Sequence, residues 1–92
     1  MPGHDVRLAI DEWGLAVPEA RQHDMDAALY GARMMNVFER SSPRVAMSAI
    51  SDMVNGWPGG IIQASRDGLF VTPLYYANRM YAAHAGRELL RT

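Results

Sequence analysis

A parallel α/β arrangement is the fold class this sequence predicts, and three observations predict it. Apolar runs of strand length alternate with segments of helical period, in the order strand, helix, strand, helix. The second strand run is apolar on both faces, the habit of parallel strands covered from two sides. The chain has 92 residues, which allows one small domain with a modest core. Two βα units are a piece of a parallel fold, roughly a quarter of a (β/α)8 barrel, whose full ring takes about 250 residues.

The elements follow in order. Residues 6–12 read as a strand, with Val6, Leu8 and Ile10 on one face and Ala9 small enough for burial on the other. Gly14 and Pro18 break the regularity, and "PEARQHD" reads as a polar connection. Asp24 suits the N-cap of a helix over 24–41 that aligns Met25, Ala28, Leu29, Ala32 and Met35 on one face. Asp26, Arg33 and Arg40 fall on the opposite face, and "SSP" closes the helix because the position before a proline resists helix. A second strand spans 44–51, where Val45, Met47 and Ala49 alternate with Ala46, Ser48 and Ile50. "DMVNGWPGG" is a turn-rich loop, and "IIQAS" and "GLFVT" around "RDG" suit a short hairpin. Pro73 fits the first turn of a last helix over 73–86, with Gly86 as its C′ residue.

Composition narrows the function classes. With 49% hydrophobic and 21% charged residues the chain is globular in kind, and a net charge of −1 gives no reason to expect nucleic acid or a membrane surface as partner. All nine basic residues are Arg, a mark of composition bias rather than of a site. The absence of Cys excludes disulfide and thiolate chemistry. "MPGHDVR" has no apolar signal region, so the expected location is cytoplasmic. The first strand begins almost at Met1 with no starting structure before it, as in a fragment. His4, His23 and His84 are scattered without metal-ligand spacing, and no phosphate or dinucleotide loop is present, so no metal or cofactor is expected.

Candidate chemistry gathers at "RLAIDEWGLAV". A period of two sends Asp11 and Glu12 to opposite faces, so they are not an acid/base pair with each other. A retaining glycosidase holds two carboxyl groups about 5–5.5 Å apart, which come from different strands. Glu12 ends the run in phase with Val6, Leu8 and Ile10, and the neighbouring Trp13 offers the apolar platform with a polar N–H that sugars favour. The bland alternative is an acidic strand exit with Trp13 filling a core edge. In "VNGWPGG", Asn55 is a candidate to hydrogen-bond substrate or hold a carboxylate, and Trp57 to line the same mouth. The alternative is that Gly56, Pro58, Gly59 and Gly60 only shape a turn. Gln63 is ambiguous, and Tyr75, Tyr76, Met80 and Tyr81 read as packing residues.

The segments "LAIDEWG", "DAALYGARMMNVFER", "RVAMSAISDMVNG" and "VTPLYYANRMYAAHAG" together resemble the α-L-arabinofuranosidases of glycoside hydrolase family 51, from about Val6 to Gly86. The resemblance implies a (β/α)8 TIM barrel with an appended β-sandwich and retaining hydrolysis of terminal arabinofuranosyl groups of arabinose-containing glycans. It implies that residues 1–92 are a fragment holding the last two βα units, without the β-sandwich, and that Glu12 is the catalytic nucleophile. The family's acid/base belongs to an N-E motif that is not in this chain. Gly14 and Ala16 stand where the family has Asn and a second Trp, which bears on the sugar-contacting wall.

On this reading the chain carries half a site and is inactive alone. The alternative, from a different class, is a non-catalytic α/β binding or assembly module. Open strand edges would pair it with a separately encoded complementary chain, or with further copies in a homo-oligomer.

Overall fold

A computed structural model describes residues 3–56 and 60–90. Strand β1 (Leu8–Trp13) leads through a one-turn helix α1 (Glu19–Gln22) into helix α2 (Met25–Arg40) and strand β2 (Val45–Ile50). Strands β3 (Ile62–Ser65) and β4 (Gly68–Val71) follow, then helix α3 (Pro73–His84). The polar stretch that reads as a plain connection in the sequence thus contains a turn of helix.

These boundaries have local causes. The Asp24 side chain accepts a hydrogen bond from the Asp26 N–H at 2.9 Å, satisfying one of the free donors at the start of α2. At the other end the Ser41 N–H reaches back to the carbonyls of Val37 and Phe38 at 3.0 and 3.1 Å. Pro73 opens α3 at a position whose missing N–H costs nothing. The preceding Thr72 is buried, and both its N–H and its hydroxyl donate to the Ile61 carbonyl. Helix α3 ends at His84, and Ala85 turns extended (φ −59°, ψ 124°). Gly86 is therefore not the left-handed C′ residue that the sequence suggests.

The arrangement is not part of a TIM barrel. One βαβ unit is present: β1 and β2 pair in parallel, with α2 as the connection. After β2, however, the chain forms an antiparallel hairpin, β3 against β4, in a second two-stranded sheet. Barrel strands share a single parallel sheet, whereas here the sheets are separate, and β3 pairs on its other side with the turn at Met53–Asn55.

The core lies on the helical side. Ala28, Ile61, Leu74 and Ala77 form a buried cluster, with Met35, Ile50, Ile62 and Tyr75 packed around it. Gly31 allows α2 and α3 to close, since a Cβ there would strike the Leu74 side chain. The Tyr81 hydroxyl bridges the pair, 2.7 Å from Asn36 Oδ1 and 3.1 Å from the Ala32 carbonyl. The β1–β2 sheet is sparsely covered: Leu8 is 58% and Met47 55% exposed. A radius of gyration of 15.0 Å, against about 13 Å for a compact 100-residue domain, reflects that elongation. No helix among the described residues is long and apolar enough to cross a membrane.

Candidate active site

Two irregularities in the β1–β2 ladder decide what its exit presents. The pairs Leu8↔Val45 and Ala9↔Met47 leave one extra residue in β2. The pairs Ile10↔Ser48 and Trp13↔Ile50 leave one extra residue in β1, within the Asp11–Glu12 step. Such a bulge breaks the period of two and re-aims the side chains beside it. Ile10 and Trp13, three residues apart, are half-buried, while Asp11 and Glu12 between them are both exposed. The simple alternation that puts Glu12 in phase with Ile10 and separates it from Asp11 stops at the bulge.

Glu12 has a defined neighbour. The Ser51 hydroxyl lies 2.8 Å from Glu12 Oε1 and 3.0 Å from Asp52 Oδ1. The Ser51 N–H donates to the Trp13 carbonyl at 2.8 Å, so the exits of the two strands are tied through backbone as well as side chain. Two such legs to one oxygen put the two carboxylate oxygens no more than about 6 Å apart. Both bond the same hydroxyl, whereas a retaining pair faces the scissile bond from its two sides. Asp52 is therefore placed as a flanking group and not as the opposing carboxyl. Sequence reasoning passed over Ser51 and Asp52. The signal was available, because paired parallel strands end together and "IDEW" and "AISD" both leave an apolar run for polar residues.

Trp13 is used for packing. Its half-buried ring meets Phe38 of α2 edge to face, with centroids 5.3 Å apart, and its buried Nε1 has no acceptor among the described residues. Asn55 is held in a clamp of its own. It adopts a left-handed conformation (φ 48°), and its amide pairs with the Ala64 backbone in both directions, at 2.6 and 2.7 Å. The amide thus extends the β3 ladder by one pseudo-strand pairing. Trp57 lies outside the described residues. Gln63, half-buried, donates to the Gly60 carbonyl at 2.6 Å and belongs to the same loop scaffold. Of the candidates among the described residues, Glu12 and Trp13 share one strand end, while Asn55 is engaged with Ala64.

The loop carrying Gly14 and Ala16 runs over α2 instead. There Leu15 and Val17, with Leu29, Tyr30, Met34 and Val37, line an open groove of about 570 Å³. The exposed Arg21–Asp26 ion pair (2.7 Å) borders it, and the hydrogen bond to Asp26 and its charge raise the Arg21 pKa above its ordinary value. Glu12 does not line this groove. Among the described residues no three His, Asp or Glu side chains gather as a metal site.

Comparison with known families gives one match. The family described as the α-L-arabinofuranosidase C-terminal domain covers residues 11–92, beginning at the bulge that carries Glu12. A C-terminal domain family agrees with the two separate small sheets and not with barrel strands. No significant match is found among curated proteins or among solved structures. With the matched segment spanning nearly the whole chain, the protein belongs to the α-L-arabinofuranosidase C-terminal domain family and is thereby related to the glycoside hydrolases.

Proposed function

We propose that this chain takes part in the retaining hydrolysis of terminal arabinofuranosyl groups from arabinose-containing glycans, with Glu12 as the nucleophilic carboxylate. The observation that carries the reading is the exposed Glu12 at the C-terminal end of a parallel strand, turned outward by a bulge and held by Ser51. Family membership supports the substrate class.

The chemistry asks two things of the protein. A Glu12 oxygen attacks the anomeric carbon as the bond to the leaving oxygen breaks, that oxygen keeping the electron pair. Water then displaces Glu12 from the ester, so the configuration is retained. The leaving oxygen also needs a proton, and among the described residues the carboxylate beside Glu12 is Asp52, which shares the Ser51 hydroxyl with it and is not set against it. The acid is supplied by another chain or segment, and residues 1–92 alone turn over ordinary arabinosides poorly.

The test uses a donor that needs no acid, a 2-fluoro arabinofuranoside with a dinitrophenolate leaving group. Burst release of dinitrophenolate and a glycosyl adduct on the peptide containing Glu12 support the reading. An adduct elsewhere, or none, overturns it.

A second reading is an assembly module that pairs with a separately encoded chain, favoured by the exposure of Leu8 and Met47 on the paired strands. It predicts a stable stoichiometric complex with that chain and no adduct on Glu12 before or after assembly.

A further inference from the structure

The geometry points to Ser51 as the residue that positions Glu12, through one hydroxyl that Glu12 shares with Asp52; this inference rests on Glu12 being the nucleophile. A serine hydroxyl has a single hydrogen to donate, yet the Ser51 oxygen is 2.8 Å from one carboxylate oxygen and 3.0 Å from another. At any instant it serves Glu12 or Asp52. Given to Glu12, the hydrogen anchors Oε1 and fixes the carboxylate plane, leaving Oε2 to face substrate. Given to Asp52, it releases Glu12 to rotate about its side-chain bonds. Asp52 is therefore a competitor for the anchor.

Three features make this more than two acids near a hydroxyl. The Ser51 backbone is tied to the Trp13 carbonyl, the residue next to Glu12, so the hydroxyl cannot drift from the carboxylate it serves. The bulge within β1 brings Glu12 outward at the level of Ser51, where an unbroken ladder would alternate it away. Glu12 is otherwise exposed, and among the described residues no further hydrogen bond or ion pair holds it. For a flexible side chain in water, one such anchor separates an aligned nucleophile from a wandering one, and misplacement by about 1 Å can cost on the order of 100-fold in rate.

The experiment compares the adduct-forming rate of the full chain and its variants with the activated 2-fluoro donor, at saturating donor and as a function of donor concentration. Ser51→Ala is expected to lower the saturating rate by about 10- to 100-fold with little change in the half-saturating concentration. Ser51→Thr, which keeps the hydroxyl, is expected to restore most of the rate. Asp52→Asn, whose amide N–H donates to the Ser51 oxygen and directs its hydrogen to Glu12, is expected to match or exceed the parent rate. The backbone tie to Trp13 survives all three changes, and unchanged urea midpoints verify that the fold does too. A Glu12 adduct that forms equally fast in Ser51→Ala overturns the positioning role while leaving the nucleophile standing. An equal loss in Ser51→Thr overturns it too, because that loss would follow side-chain shape and not the hydroxyl. Absence of any Glu12 adduct in the parent chain overturns both.

Discussion

The two halves of this molecule are built to different standards. Helices α2 and α3 close on each other over Gly31, Ala28, Leu74 and Ala77, with Tyr81 hydrogen-bonded across the pair. The β1–β2 sheet has two breaks in its ladder and no fully buried residue in either strand. The first half can be expected to carry the stability. The second carries the groups suited to chemistry, and its irregularity is what turns Glu12 outward. Tight packing and an exposed, re-aimed side chain are opposing demands, and the chain meets them in different places.

That division can be broken from the stability side. Leu74→Ala truncates one of the two large side chains of the buried cluster and should cost about 2–5 kcal/mol by urea denaturation. In a small domain that is a large share of the total. Gly31→Ala should cost about 1–3 kcal/mol, since the new Cβ meets Leu74 Cδ1 and that buried side chain must shift within its packing. Asn55→Ala removes both amide bonds to Ala64 and should cost about 1–2 kcal/mol in the same assay. Asn55→Gly should cost less, because glycine relieves the positive φ. Asp24→Ala should cost about 1 kcal/mol through loss of the N-cap. At the small end, Asp26→Asn removes an exposed ion pair with Arg21 and should leave the urea midpoint where it was.

How far the sequence reaches follows the same division. The strand, helix, strand and helix segments are legible because their apolar spacing is regular and because Asp24, Pro43 and Pro73 punctuate the helices. The hairpin is legible from "RDG" between two short apolar runs. The tertiary scheme is not, because periodicity describes each segment and says nothing about whether two pairs of strands join one sheet. Expecting a barrel extended the parallel pairing of β1 and β2 past the point where the chain turns into an antiparallel hairpin. The site is half legible for a related reason. Glu12 stands out at a strand exit, but the bulge that orients it is a property of the pairing with β2 and is invisible in either strand alone. Ser51 and Asp52 become neighbours of Glu12 only through that register. Asn55, which reads as a substrate contact, proves occupied with its own backbone clamp, a use that its conformation near a turn permits.

The most direct measurement is the fate of the adduct in Glu12→Gln. Glu12 is exposed and, among the described residues, bonded only to the Ser51 hydroxyl, so the substitution should move stability by no more than about 0.5 kcal/mol. If chemistry and stability reside in separate halves with Glu12 as the nucleophile, Glu12→Gln loses the arabinofuranosyl adduct while keeping the parent's urea midpoint. An adduct that persists in Glu12→Gln, or a variant that unfolds because of the change, would contradict the account.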